Sequence, residues 1–384
     1  MAHSKNDIVT EQNDLNVKLS KMFAENGIGQ FRLINVGNSI ASGYSTTRTT
    51  KPLFLRNELL KDTLEDYGID FDYHSFARPQ NNCDEHFFEW FINNVRESDV
   101  DGLVRHDYLA KKTGLNPIGI TEDEVDKYYP SESKKQDGLL ELSTNSEEDM
   151  ANIIVYNGCT GSFLDNNFRK GNFFRKFFHG IRKDMNSIEA IMQLIQTNNR
   201  MHNSNTQVFV CGVPNLMGAY ISNAMNSRLK RLEKKYANVT YVPPIATALF
   251  YHPLDSDDPS FERPDLHYDE DEYLRFINNI LGSISDNYTV NNAMIDLDRR
   301  LYELSQEREL LDKDSSEDQQ FVSAYLSNLL EEETKDMSDE EKQIFLKKAK
   351  KYLMLRFPYD FFYVGKDNIK EVISKSLSNT RLQH

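Results

Sequence analysis

FRLINVGNSIASG, residues 31–43, contains the strongest indication of the fold. Its first half is a short apolar run, which is typical of a buried strand. Gly37 ends this run, and Asn38 and Ser39 follow, residue types that favour a turn or the N-cap of a helix. In open α/β sheets, ligands bind at the carboxyl ends of strands, and the N–H groups of a following helix suit a developing oxyanion. Ser39 is therefore a candidate nucleophile, with a simple cap as the alternative interpretation.

RPDLHY, residues 263–268, is the second stretch that indicates chemistry. A serine hydroxyl is a weak nucleophile until a base takes its proton, and a carboxylate improves the base by orienting it. Asp265 and His267 provide both groups just before a helical pattern. The sequence therefore predicts a catalytic set in which Ser39 attacks, His267 acts as the base and Asp265 orients the imidazole.

These two stretches, in this order, resemble the first and last sequence blocks of the SGNH (GDSL-type) hydrolases. That family carries its serine in Gly-Asp-Ser after the first strand and its acid and histidine near the end of the domain. In this chain Asn38 replaces the aspartate of the first motif. The acid precedes the histidine by two residues, whereas the family has a spacing of three. The resemblance implies a serine ester hydrolase of esterase or deacetylase type. Its substrate would be an acyl or acetyl ester of a carbohydrate or small molecule.

The resemblance also implies an oxyanion hole. Gln80 matches the position of the family's glycine, whose backbone N–H is a donor, and Thr160 matches the position of its asparagine. A threonine hydroxyl can donate one hydrogen bond, and the nearby Asn157 could supply an amide. Because the family's asparagine is missing at its own position, a catalytically weakened binding module of the same fold remains the alternative function.

The order of apolar runs predicts the fold class. Short apolar runs at 31–36, 152–156, 207–211 and 239–242, and a stretch of alternating apolar and polar residues at 69–76, predict five strands. They alternate with helical patterns, among them 52–66, 184–202 and 216–236. This alternation favours a parallel sheet covered by helices on both faces. We expect an α/β protein, a three-layer α/β/α sandwich with a five-stranded parallel sheet, which is also the flavodoxin-like fold that the resemblance implies.

Three parts are expected along the chain. Residues 1–28 form an N-terminal helix, with Leu15, Leu19 and Phe23 as its packing face. Residues 29–287 form the hydrolase domain, in which 99–149 are an irregular insertion, either a lid over the site or a disordered surface loop. Residues 288–384 form a helical appendage, with patterns at 293–310, 318–334, 339–356 and 367–377, that either packs on the sandwich or mediates self-association.

Composition limits the partners. The chain of 384 residues has a net charge of −15 and a sequence pI of about 5.1, which argues against binding to nucleic acid or to an anionic membrane surface. The polar N-terminus predicts no signal peptide, and no run is long and apolar enough to suggest a membrane span. Three widely spaced cysteines, Cys83, Cys159 and Cys211, are typical of reduced thiols in a cytoplasmic protein. We expect no metal and no cofactor.

Overall fold

A computed structural model describes ten stretches of the chain. They are residues 5–37, 40–41, 43, 51–77, 149–157, 173–214, 219–245, 268–307, 315–360 and 370–374. Most of the expected insertion at 99–149 lies outside these residues, so its role as a lid stays a prediction. Asp149 is described, and its carbonyl accepts hydrogen bonds from the backbone N–H groups of Gly29 and Gln30 at 2.8 and 3.1 Å.

The centre of the fold is a five-stranded parallel sheet. Its strands are β1 (Gln30–Gly37), β2 (Asp70–Ser75), β3 (Met150–Asn157), β4 (Gln207–Cys211) and β5 (Val239–Val242), in the spatial order β2-β1-β3-β4-β5. The strands β3 and β4 are buried along their whole length, as expected when both faces of a parallel sheet are covered. The predicted strands and the parallel sheet are confirmed.

Helices cover both faces of this sheet. Before β2 lie α1 (Lys5–Glu25), a 3-10 helix (Leu53–Arg56) and α2 (Leu60–Asp66); later come α3 (Phe173–Met201), α4 (Ala219–Lys235), α5 (Glu270–Glu307), α6 (Ser316–Glu333) and α7 (Asp339–Asp360). One buried cluster joins the sheet to α1, α2 and α5, and a second joins it to α3 and α4. The predicted three-layer α/β/α class is therefore confirmed.

Two helical predictions near the N-terminus have different outcomes. Leu19 and Phe23 of α1 are fully buried, while Leu15 is only partly buried. The prediction of one helix over 52–66 is wrong, because the chain forms the 3-10 helix and α2 with a break between them. In this break Asn57 points inward, and its amide exchanges two hydrogen bonds of 2.7 and 3.0 Å with the amide of Asn16 on α1.

The helix α5 crosses the domain boundary expected between residues 287 and 288. It runs for 38 residues without interruption, so the last helical pattern of the predicted hydrolase domain and the first of the predicted appendage are one helix. Its first half packs on the sheet through residues such as Ile277 and Ile280, and its second half packs on α6 and α7 through residues such as Met294 and Leu297.

The helices α6 and α7 pack on the sandwich, which was one of the two alternatives for the C-terminal part. Both contribute to a third buried cluster with the second half of α5, and the helical residues 370–374 add Val372 and Ile373 to it. The Lys348 ammonium of α7 donates to the carbonyl of Val239 at 3.0 Å, so α7 also contacts the start of β5. Self-association stays a prediction.

The stability of the protein should depend on pH through the buried carboxyl of Glu333, at the end of α6. Burial, together with the nearby Asp296 carboxylate, raises the pKa of Glu333 from 4.5 to about 7. A carboxyl with a raised pKa in the folded state favours folding below its unfolded pKa, and this contribution is lost as the pH rises through about 7. We expect the contribution of Glu333 to the free energy of unfolding to fall by about 1–2 kcal/mol as the pH rises from about 5 to about 8.

Urea unfolding of wild type and Glu333→Gln at both pH values measures this contribution. The difference in stability between the variant and wild type should shift in favour of Glu333→Gln as the pH rises. Glu332→Gln is the matched control, because Glu332 contacts the same Arg300 at 2.9 Å but its pKa is lowered by that contact. A Glu333→Gln curve parallel to that of wild type would contradict the assignment.

Candidate active site at the carboxyl end of the sheet

The candidate site lies where the order of strands reverses. From β1 the chain goes to β2 on one side of it and then returns to β3 on the other side. Open α/β sheets bind ligands outside the carboxyl ends of the strands at such a reversal. Gly37 ends β1 and Asn157 ends β3, and the two residues are paired in register. The crevice between these strands is therefore the place in the fold where a ligand is expected.

Of the predicted site residues, only Asn157 is among the described residues. It is 4 % exposed. Ser39, Gln80, Thr160, Asp265 and His267 lie outside the described residues, so the meeting of Ser39 with His267 stays a prediction. The residues that flank these positions in sequence, above all Gly37, Ile40 and Tyr268, are described and define the surroundings of the site.

The backbone at the end of β1 is closely packed against Asn157 and Ala41. A Cβ atom built on Gly37 would lie 2.2 Å from the backbone oxygen of Asn157 and 2.5 Å from the Cβ of Ala41. Real Cβ atoms do not approach other atoms so closely, so this position excludes a side chain. Ala41, two residues after the candidate nucleophile in sequence, therefore lies directly against the end of β1.

Asn35, on β1, holds Ala41 in place. Its side-chain amide is fully buried and donates to the carbonyl of Ala41 at 2.7 Å, with the Tyr73 hydroxyl at 3.3 Å as a second acceptor. Burial raises the pKa of the Tyr73 hydroxyl, and hydrogen bonds from Ser75 and Asn35 oppose this shift. Tyr73 therefore stays protonated. Through Asn35 and Tyr73, these hydrogen bonds connect Ala41 to β2 as well as to β1.

Tyr268, which follows His267 in sequence, is anchored in the protein core. It is 1 % exposed, and its ring packs at 5.3 Å from the ring of Tyr273 and 5.5 Å from that of Phe276. Burial raises the pKa of the Tyr268 hydroxyl well above its usual value, with the Cys211 thiol at the end of β4 as a further cause. Tyr268 and Ile40 belong to the same buried cluster.

The start of α5 is fixed by a capping box. The carboxylate of Asp269 accepts from the N–H of Glu272 at 2.8 Å, and the carboxylate of Glu272 accepts from the N–H of Asp269 at 3.1 Å. These two bonds satisfy donors that a helix end leaves free. The chain that carries Asp265 and His267 therefore enters α5 at a defined point.

Arg56 connects the two segments that flank the candidate nucleophile and base. Its guanidinium donates to the carbonyl of Gly43 at 2.6 Å and to the carboxylate of Glu270. It also lies over the ring of Tyr273, 4.5 Å from the ring centre. Gly43 follows Ser39 by four residues and Glu270 follows His267 by three. One buried arginine thus bridges the loop after β1 and the first turn of α5.

Arg56 and Asn35 were missed as site residues by the sequence analysis. Arg56 falls within a pattern of leucines that predicts an ordinary helix, and Asn35 falls within an apolar strand. A weak signal exists in each case, because a charged or amide side chain inside an apolar run must have a buried partner. Neither the partner nor its distance can be derived from sequence spacing.

The described residues contain no group of three or more His, Cys, Asp or Glu side chains arranged to hold a metal ion. Cys211, at the end of β4, is a buried cysteine outside any disulfide. None of the helices in the described stretches is both long enough and apolar enough to cross a membrane. These findings concern only the described residues, and the predicted absence of a cofactor stays a prediction.

Comparisons with models of protein families, with curated proteins and with solved structures found no match to this chain. Any argument about function therefore depends on the residues of the site and their surroundings.

Proposed function

We propose that this chain is a serine ester hydrolase of esterase or deacetylase type, similar to the SGNH hydrolases. Its substrate would be an acyl or acetyl ester of a small molecule or a glycan. In this mechanism Ser39 attacks the ester carbonyl, His267 takes the proton and returns it to the leaving alcohol, and Asp265 orients the imidazole. Water then releases the acyl group from Ser39 with the same base.

The observation that carries this proposal is the bridge made by Arg56. A nucleophile and a base can work together only within hydrogen-bond reach, so the chain segments that carry them must converge. Ser39 and His267 are separated by more than two hundred residues in sequence. One guanidinium nevertheless binds both Gly43, in the loop after Ser39, and Glu270, just after His267. This convergence at the carboxyl end of the sheet supports the assigned pair.

The proposed oxyanion hole uses the end of β3 and its neighbours. Asn157 pairs with Gly37 in the sheet register, which puts the residue at the strand reversal. The backbone N–H groups of Ser39 and Gln80 and the hydroxyl of Thr160 are the proposed donors, and the amide of Asn157 is the alternative to Thr160. Donors aimed at the developing negative charge supply a large part of catalysis in acyl transfer. The acidic net charge of −15 favours neutral substrates over polyanions, and a cytoplasmic location remains part of the proposal.

Labelling with a fluorophosphonate probe tests the proposal directly. Such probes phosphonylate a serine that a neighbouring base activates, so wild type should form one covalent adduct, and peptide mass spectrometry should map it to Ser39. Ser39→Ala should take no label, and His267→Ala should label much more slowly, because the base is missing. Ser42→Ala is the matched control, a serine in the same loop with no assigned role, and it should label like wild type.

Two results would contradict the proposed function. Equal labelling of wild type and Ser39→Ala would show that Ser39 is not an activated nucleophile. If wild type takes no label, the binding module becomes the better interpretation.

A further inference from the structure

We infer that Arg56 is a positioning residue of the proposed hydrolase: it fixes Gly43, in the loop after β1, to Glu270, in the first turn of α5. These two segments follow the proposed nucleophile Ser39 and the proposed base His267 in sequence. This inference rests on the proposed function. It assigns to Arg56 no contact with the substrate.

The burial of Arg56 calls for a reason beyond packing. Its side chain is only 2 % exposed, and a buried guanidinium is unfavourable unless its donors are paired. Its Nε has no hydrogen-bond partner among the described residues. The neighbouring Leu53 and Phe54 are also buried, so this part of the 3-10 helix lies in the core. An arginine here is therefore explained best by the two segments that it joins.

The bridge is specific at the Gly43 end. Gly43 has a φ of +74°, and a Cβ on it would lie 1.8 Å from the carbonyl oxygen of Lys51, so only glycine fits. Its N–H donates to the carbonyl of Ile40 at 3.0 Å, and its own carbonyl accepts from the Arg56 guanidinium at 2.6 Å. The backbone of Gly43 thus contacts both Ile40, the residue that follows Ser39 in sequence, and the guanidinium of Arg56.

The bridge is equally well placed at the α5 end. Glu270 lies in the first turn of α5, where a carboxylate is also favoured by the helix dipole. Its side chain is about half exposed, whereas that of Arg56 is buried, so the ion pair spans the boundary between core and solvent. Tyr273, one turn further along α5, presents its ring to the same guanidinium. The planar guanidinium can satisfy all three contacts together, and a lysine ammonium cannot reproduce this geometry.

Arg56→Lys tests the inference because it keeps the charge and loses the bridging geometry. We expect the second-order rate constant for fluorophosphonate labelling of Ser39 to fall by about 10- to 100-fold, since small displacements of a reacting pair have effects of this size. With an ester substrate, kcat should fall and KM should change little. Amide hydrogen exchange should become faster both in residues 40–43 and in residues 268–273. Arg56→Ala should regain part of the lost rate when methylguanidinium is added.

Arg299→Gln is the matched control. Arg299 also bridges a helix and a loop, since it lies on α5 and binds Asn203 and Asn205 before β4. As in Arg56, its Nε has no hydrogen-bond partner among the described residues. It lies at the opposite end of the sheet. Arg299→Gln should lower the melting temperature and leave the labelling rate of the folded protein unchanged.

The outcomes of these experiments distinguish the positioning role of Arg56 from the proposed hydrolase function. An Arg56→Lys variant that labels as fast as wild type, with unchanged hydrogen exchange in both segments, overturns the positioning role and leaves the hydrolase proposal intact. A wild-type protein that takes no label at Ser39 overturns the proposed function itself. Slower labelling caused equally by Arg299→Gln would show a general loss of stability and would also overturn the role assigned to Arg56.

Discussion

The variant Asp298→Ala should have a free energy of unfolding about 3–5 kcal/mol below that of wild type. Asp298 lies on α5, and its side chain is 2 % exposed. Its carboxylate binds the Arg200 guanidinium through two hydrogen bonds, of 2.8 and 2.7 Å, and accepts a third from Gln196 at 2.9 Å. The Tyr352 hydroxyl donates to the same carboxylate. One side chain therefore joins α3, α5 and α7.

The size of the effect comes from the groups left behind. Without the carboxylate, the Arg200 guanidinium, whose side chain is 12 % exposed, has lost its counter-ion in a poorly solvated place. An uncompensated buried charge costs more than the ion pair itself contributes. Tyr352 is affected as well, since burial, together with the Asp298 carboxylate, raises the pKa of its hydroxyl well above the usual value. The variant leaves this buried hydroxyl without its acceptor on α5.

Urea unfolding followed by circular dichroism measures the loss, and two controls define its cause. Asp286→Ala removes an exposed carboxylate from the same helix, where Asp286 pairs with Lys18 and is 61 % exposed, and it should change stability by less than about 1 kcal/mol. The double variant Arg200→Met with Asp298→Leu removes both charges and should recover much of the loss. Equal effects of Asp298→Ala and Asp286→Ala would contradict the central role of this cluster.

Four strands of the sheet could be predicted from the sequence because each is a short apolar run that ends in turn-forming residues, and β2 could be predicted from its alternation of apolar and polar residues. The predicted run at 207–211 coincides with β4 and the run at 239–242 with β5, while β1 and β3 extend the predicted runs by one or two residues at each end. Burial on both faces requires such runs. The sequence alone therefore predicts the layers and the place of the crevice.

The continuity of α5 could not be predicted in the same way. Between its two predicted halves lies a stretch rich in serine, asparagine and threonine, residue types that weaken a helical pattern. In the folded protein one of these residues, Asn291, is fully buried, and its amide donates to Gln207 and Thr240 at 3.0 Å. Asp298 is buried for the same kind of reason. Cross-links of this kind depend on residues far apart in the chain, which periodicity does not reveal.

The elements that flank the candidate site were predictable from the sequence, and its supporting contacts were not. Ser39 follows a strand and His267 precedes a helix, and the structure confirms β1 and α5 as these elements. Arg56 and Asn35 hold the surrounding chain through contacts to backbone carbonyls, and such contacts leave no trace in residue spacing. The catalytic geometry itself stays a prediction that the labelling experiment decides.

Replacing Gly37 with alanine should lower the free energy of unfolding by about 2–3 kcal/mol. A methyl group at this position would lie 2.2 Å from the backbone oxygen of Asn157 and 2.5 Å from the Cβ of Ala41. Neither neighbour can move easily, because Asn157 is held in the sheet and the carbonyl of Ala41 is bound by Asn35. The clash therefore has to be relieved by separating the ends of β1 and β3 or by moving Ala41 away from the end of β1.

Gly282→Ala is the matched control for this substitution. A Cβ on Gly282, in the middle of α5, would lie 3.7 Å from Leu15, which is an ordinary van der Waals contact. Alanine is favoured over glycine inside a helix, so this variant should be more stable than wild type by about 0.5–1 kcal/mol. The same chemical change thus has opposite signs at the two positions. If Gly37→Ala is as stable as wild type, the ends of β1 and β3 do not approach as closely as the site requires.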